Sequence, residues 1–195
     1  VLTDETTGET FTSSSVNNEN LYEFPTVAKT GHTYNISVTH SEFKTATAST
    51  IIPAIIEVND WDTSSYLIDN YRNKKLDLTI IDTSEENYYI ITISSIDTVY
   101  DIEEDLVLTA GEGGFDSDEG SSLFIKDKLF NNSTKKLSLE FYPRYYYDES
   151  YLPIGEMGYR IRLFSASKET YQYLLSVAKS KESEGNPFSE SVRVY

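Results

Sequence analysis

Apolar and polar residues alternate along most of this chain. Tyr34, Ile36 and Val38 are separated by Asn35, Ser37 and Thr39, and Leu76, Leu78 and Ile80 by Asp77 and Thr79. Leu137, Leu139 and Phe141 alternate with Ser138 and Glu140, and Tyr159, Ile161 and Leu163 with Arg160 and Arg162. A period of two turns one set of side chains to a core and the other to water, which is the pattern of a half-buried strand. The run Tyr88-Tyr89-Ile90-Ile91-Thr92-Ile93 is apolar on both faces, which predicts a central strand. Turn signals at Thr7-Gly8, Asn17-Asn18, Thr30-Gly31, Glu85-Glu86-Asn87 and Asn131-Asn132 separate the runs. The expectation is a mostly β protein of antiparallel sandwich type.

Pro53 divides the pattern, because it cannot donate to a ladder and restricts the residue before it. The first module, 1–53, is expected to hold strands at 1–4, 20–25, 33–39 and 43–52. Its turn-then-strand Thr30-Gly31-His32-Thr33-Tyr34-Asn35-Ile36 gives it an immunoglobulin-like look, incomplete in strand number. The second, 54–195, is expected to hold strands at 75–82, 87–96, 135–142, 158–165 and 191–195. Asn59-Asp60-Trp61-Asp62-Thr63-Ser64-Ser65 and Asn70-Tyr71-Arg72-Asn73 read as a long connection between the modules.

The alternation gives way to a helical period near the end. Tyr171, Leu174, Leu175 and Ala178 fall at i, i+3, i+4 and i+7 and make one apolar stripe. Ser167 is placed to cap the helix and Glu169 to meet its positive end. Gly185 and Pro187 stop it. One amphipathic helix over about 167–182 is expected to pack on the second sandwich and close its core.

Charge narrows the partners. Sixteen Lys and Arg against thirty-two Asp and Glu give a net charge of -16. Nucleic acid and anionic lipid headgroups both require clustered basic residues, so neither is an expected partner. The chain has no Cys, which excludes disulfides and thiolate chemistry. It has no P-loop, no Gly-x-Gly-x-x-Gly ahead of a helix and no Gly-x-Ser-x-Gly elbow. Gly111-Glu112-Gly113-Gly114 is glycine-rich, but the acids around it would repel phosphate. His32, in a turn, and His40, at a strand end, have no evident third ligand. The expectation is a protein without enzymatic activity.

Two stretches carry candidate chemistry. Residues 101–119 hold eight acids and no base, and read as a solvated, mobile loop. Asp116 and Asp118 within it and Asp127 beyond it are the candidate Ca²⁺ ligands, although an EF-hand would place Gly where Ser121 stands and Glu where Asp127 stands. Tyr145, Tyr146, Tyr147 and Tyr151 lie beyond Pro143, where a long hairpin is expected. These tyrosines either pack on one another, contact a protein partner, or stack on a glycan. Trp61 is the second-choice contact. A calcium-stabilised adhesion or scaffold module and a glycan-acting hydrolase with two facing carboxylates are the competing functions.

Several pieces resemble the Bacteroidota envelope lipoprotein family known as domain of unknown function 4249. They are Lys126-Asp127-Lys128-Leu129-Phe130-Asn131, Tyr171-Gln172-Tyr173-Leu174, and Gly185-Asn186-Pro187-Phe188 leading to Val192-Arg193-Val194-Tyr195. Val1-Leu2-Thr3-Asp4 and the Pro53 boundary resemble its first module. Lys126 stands where the family usually has Ser or Thr before the Asp. The resemblance implies an outer-membrane lipoprotein of the bacterial envelope that assists a TonB-dependent transporter in nutrient uptake. It also implies a lipidated Cys and early strands upstream, and a continuation after Tyr195.

Overall fold

The computed structural model describes residues 1–13, 22–68, 71–82, 86–127 and 133–183. The chain divides into two compact units, Val1–Ile55 and Ile56–Tyr195. The expected strand at 191–195, the Gly185-to-Phe188 break and the Asn17-Asn18 and Asn131-Asn132 turns lie outside the described residues.

The first unit holds β1 (Leu2–Asp4), β2 (Glu9–Phe11), β3 (Thr33–His40) and β4 (Phe43–Ile51). They form one antiparallel sheet in the order β2-β1-β3-β4. Of the strand expected at 20–25, residues 22–25 show only an isolated bridge at Tyr22. The strand β2 is an addition, too short at three residues to carry a readable alternation. His32 has a structural explanation here. Its Nδ1 lies 2.7 Å from Oδ2 of buried Asp4, whose Oδ1 accepts the Thr6 and Thr7 amides at 3.0 and 3.2 Å. Burial alone would raise the Asp4 carboxyl, but the His32 and amide hydrogen bonds outweigh it and hold it below the usual range.

In the second unit, β5 (Glu57–Ile68), β6 (Tyr71–Ile81), β9 (Leu108–Ala110), β10 (Glu119–Gly120) and β12 (Thr134–Phe141) form a sheet in the order β10-β9-β12-β6-β5. A smaller sheet has β7 (Tyr88–Asp97) at its centre. On one side of β7 runs β15 (Gly158–Ala166), and on the other β11 (Leu123–Lys126) and β8 (Ile102–Asp105). The inner faces interlock: Leu76, Leu78, Ile80, Leu108, Leu137 and Leu139 meet Tyr89, Ile91, Ile93, Leu123 and Ile125 in one cluster. The opposite face of β7 is apolar too. There Tyr88 and Ile90, with Phe124 of β11, pack beneath α1 (Lys168–Ser183) through Tyr171, Leu175 and Ala178. The doubly apolar run is therefore a strand buried between a sheet and a helix. The Ser167 hydroxyl accepts the Thr170 amide at 3.2 Å, the cap that starts the helix.

Two expectations are corrected. The supposed connection at 59–65 and 70–73 is the long hairpin β5–β6, paired from Glu57↔Ile81 to Ile68↔Tyr71. Its first strand is an edge with almost every residue exposed, so no apolar face had to be written into it. The acidic stretch 101–119 is not a mobile loop but contains β8, β9 and the start of β10. One of its acids is matched by bases reaching across β7: Glu103 pairs with both Arg160 and Arg162 of β15.

The β5 edge is guarded. The Trp61 and Thr63 amides bond the carboxylates of Asp60 and Asp62 at 2.9 and 2.8 Å, so they are not free to pair with another strand. The double variant Asp60→Ala/Asp62→Ala is expected to keep the fold and increase self-association over the wild type in sedimentation velocity. An unchanged distribution would show that these acids do not protect the edge.

Candidate functional site

Beyond β12 the chain turns at Pro143 and forms the hairpin β13 (Tyr145–Tyr147) and β14 (Pro153–Glu156). Its tip is organised by Asp148, whose Oδ1 accepts the Ser150 and Leu152 amides at 2.8 and 2.9 Å. The turn after β7 is built in the same way. Asp97 Oδ1 accepts the Val99 and Tyr100 amides at 2.8 and 3.1 Å. An aspartate that satisfies backbone amides two to four residues on fixes a turn without help from a core.

Tyr146 fastens the two turns together. Its hydroxyl accepts the Thr98 amide at 3.0 Å and lies 3.1 Å from the Thr98 hydroxyl. Lys74 and Glu156, 2.6 Å apart, tie β14 to β6, and Arg144 reaches Glu104 at 3.5 Å. The Glu103 carboxyl is held below the usual range, first by its hydrogen bond from Arg162.

The fastened turns display six large apolar side chains. Tyr147, Tyr151, Leu152 and Ile154 come from the hairpin, and Val99 and Tyr100 from the β7–β8 turn, with exposures from 58% (Tyr147) to 86% (Tyr151). Tyr151 sits at φ 59°, a left-handed conformation that costs a non-glycine residue about 1 kcal/mol or more. Water-exposed rings on ordered, partly strained turns form a surface ready for contact.

The four tyrosines flagged in the sequence thus divide in role. Tyr147 and Tyr151 are displayed, Tyr145 and Tyr146 are half-buried, and Tyr146 is a fastener. Trp61 is exposed but stands on β5 opposite Leu78, outside these turns. Val99, Tyr100, Leu152 and Ile154 were missed. The available signal was an aspartate just ahead of apolar residues in Asp97-Thr98-Val99-Tyr100 and Asp148-Glu149-Ser150-Tyr151-Leu152.

The candidate Ca²⁺ ligands do not share one site. Asp116 and Asp118 line a pocket of about 650 Å³ with Glu119, Phe115 and Lys179. Asp116 Oδ2 accepts the Tyr171 hydroxyl at 2.6 Å, which anchors α1. The Asp116 amide bonds the Phe124 carbonyl, whereas Asp127 follows the far end of β11, three residues or about 10 Å further along. Among the described residues no three His, Asp or Glu side chains are grouped to hold a metal ion. A second, apolar groove of about 270 Å³ runs between α1 and β11, lined by Ile90, Phe124, Leu174, Val177 and Lys181. No described helix is long and apolar enough to cross a membrane.

No curated protein and no solved structure shows significant similarity to this chain. A family model described as "Domain of unknown function (DUF4249)" matches residues 2–194, nearly its full length. The chain therefore belongs to the family of domain of unknown function 4249.

Proposed function

We propose that this protein is a non-enzymatic accessory of the bacterial cell envelope that binds a partner protein through its aromatic end. The partner is an outer-membrane transporter of the TonB-dependent kind, and the protein is an outer-membrane lipoprotein of Bacteroidota. The support for location and partner is the resemblance to an envelope lipoprotein family. The support for the surface is one observation: six large apolar side chains displayed on two turns that Asp97, Asp148 and Tyr146 hold in place. Burying an exposed aromatic ring contributes about 1.5–3 kcal/mol, and little of it is spent on ordering turns that are already formed. Tyrosine also supplies a hydroxyl that stays wet before binding and finds a partner after it.

The test is capture of a TonB-dependent transporter from detergent-solubilised bacterial outer membranes by the protein and its variants. Tyr147→Ala combined with Tyr151→Gly is expected to weaken capture tenfold or more. Tyr151→Gly by itself should melt no lower than wild type, because glycine relieves the left-handed backbone. Undiminished capture by the double variant would remove the aromatic end as the contact surface.

A further inference from the structure

Asp127 is wholly buried, with 0% of its surface exposed. Its Oδ2 accepts the Asn87 amide at 2.8 Å, while its Oδ1 has no hydrogen-bond partner among the described residues. Its own amide returns a bond to the Asn87 carbonyl at 3.2 Å, so the chain after β11 is zipped to the start of β7. Asn87 also reaches a second buried carboxyl. Its side-chain amide lies 3.4 Å from Oδ1 of Asp82, which is 4% exposed and also accepts the Tyr89 hydroxyl. One residue thus touches both acids, at the end of the sandwich where β6 and β11 finish and β7 begins. Lys126, the base just before Asp127, is 2.8 Å from Glu86 and over the Tyr88 ring.

A carboxylate removed from water with one oxygen unpartnered is strongly unfavourable, and a second carboxylate beside it makes it more so. A bound cation or a retained proton relieves this. Carboxylate oxygens are hard ligands, and two carboxyls brought together suit a hard ion. Mg²⁺ needs a regular octahedron and keeps several waters, whereas Ca²⁺ accepts irregular sets of carboxylate and carbonyl oxygens. We propose that Asp82 and Asp127 form a buried Ca²⁺ site that joins the ends of β6, β7 and β11. The site shares no residue with the aromatic end and is independent of the function proposed there.

Thermal melting of the whole chain in EDTA and in millimolar Ca²⁺ tests it. Wild type is expected to melt about 5–10 °C higher in Ca²⁺ at a hundredfold excess over Kd. Asp127→Asn keeps the size of the side chain and removes its charge. It should melt in EDTA no lower than wild type and gain nothing from Ca²⁺, and Asp82→Asn should lose most of the gain. Two results overturn the proposal: no Ca²⁺ shift in wild type, or the same shift in Asp127→Asn, which would place the ion among the surface acids.

Discussion

Tyr171→Ala is expected to lower stability by about 3–5 kcal/mol in chemical denaturation, and Tyr171→Phe by about 1–3 kcal/mol. Tyr171 is 2% exposed and is the anchor of α1 on the smaller sheet. Its ring packs against Tyr88 and edge-on against Phe124, with centroids 5.0 and 5.6 Å away. Its hydroxyl donates to Asp116 at 2.6 Å, and burial followed by that bond pushes its pKa well above the usual value. The alanine variant loses the ring and leaves a cavity between helix and sheet, while the phenylalanine variant loses only the hydroxyl and returns the exposed Asp116 carboxylate to water. Three neighbours, Tyr88, Ile90 and Phe124, would lose their cover together. The difference between the variants thus separates packing from the hydrogen bond. If Tyr171→Phe proved as stable as wild type, Asp116 would be released from its role as helix anchor, and its pocket would become open to other uses.

Gly113→Ala is expected to destabilise by about 2–5 kcal/mol, combining backbone strain with overpacking. Gly113 has φ +135°, a region that L side chains rarely adopt, and a Cβ there would meet Leu137 Cδ2 at 2.8 Å and Leu137 Cα at 3.2 Å. Leu137 cannot yield easily, because it is fully buried in mid-β12, between β6 and β9. The neighbouring backbone is equally confined: the Gly111 amide bonds the Ser138 carbonyl at 2.9 Å, and the Ser138 amide the Glu112 carbonyl at 2.7 Å. Gly111-Glu112-Gly113-Gly114 is therefore a close crossing of one chain over another, not a phosphate cradle. A Gly113→Ala variant with an unchanged denaturation midpoint would mean that this crossing is looser than its distances imply.

Legibility followed burial. The strands β6, β7, β12 and β15 each carry an apolar face against something solid, and the alternation in Leu76-Asp77-Leu78-Thr79-Ile80 or Tyr159-Arg160-Ile161 states it locally, whereas β4, expected at 43–52, is exposed along its whole length. The helix declared itself through Tyr171, Leu174, Leu175 and Ala178, although Leu174 proves partly exposed at the lip of the apolar groove. The strand β5 did not declare itself. Its residues Asn59-Asp60-Trp61-Asp62-Thr63-Ser64-Ser65 have the composition of a loop and become a strand because β6 offers them an edge. The strand β8 was hidden for a related reason: its acids look like a repelling run until Arg160 and Arg162 arrive from a strand some sixty residues later to neutralise them. The site shows the same division. The tyrosines near 145–151 were visible as an unusual cluster, but Val99 and Tyr100 joined them only through Tyr146.

The sequence by itself determined a mostly β chain, one capped helix at its end, a charge hostile to nucleic acid, and the family to which the chain belongs. These are properties of local period, composition and motif, and each is written within a few consecutive residues. The tertiary structure decided which tyrosines are displayed and which fasten, that β5 is a strand, and that Asp127 stands with Asp82 instead of with Asp116 and Asp118. Those outcomes depend on which distant strands pair and where their ends meet, and a hydrogen bond or an ion pair between residues dozens of positions apart leaves no mark in the spacing of either one.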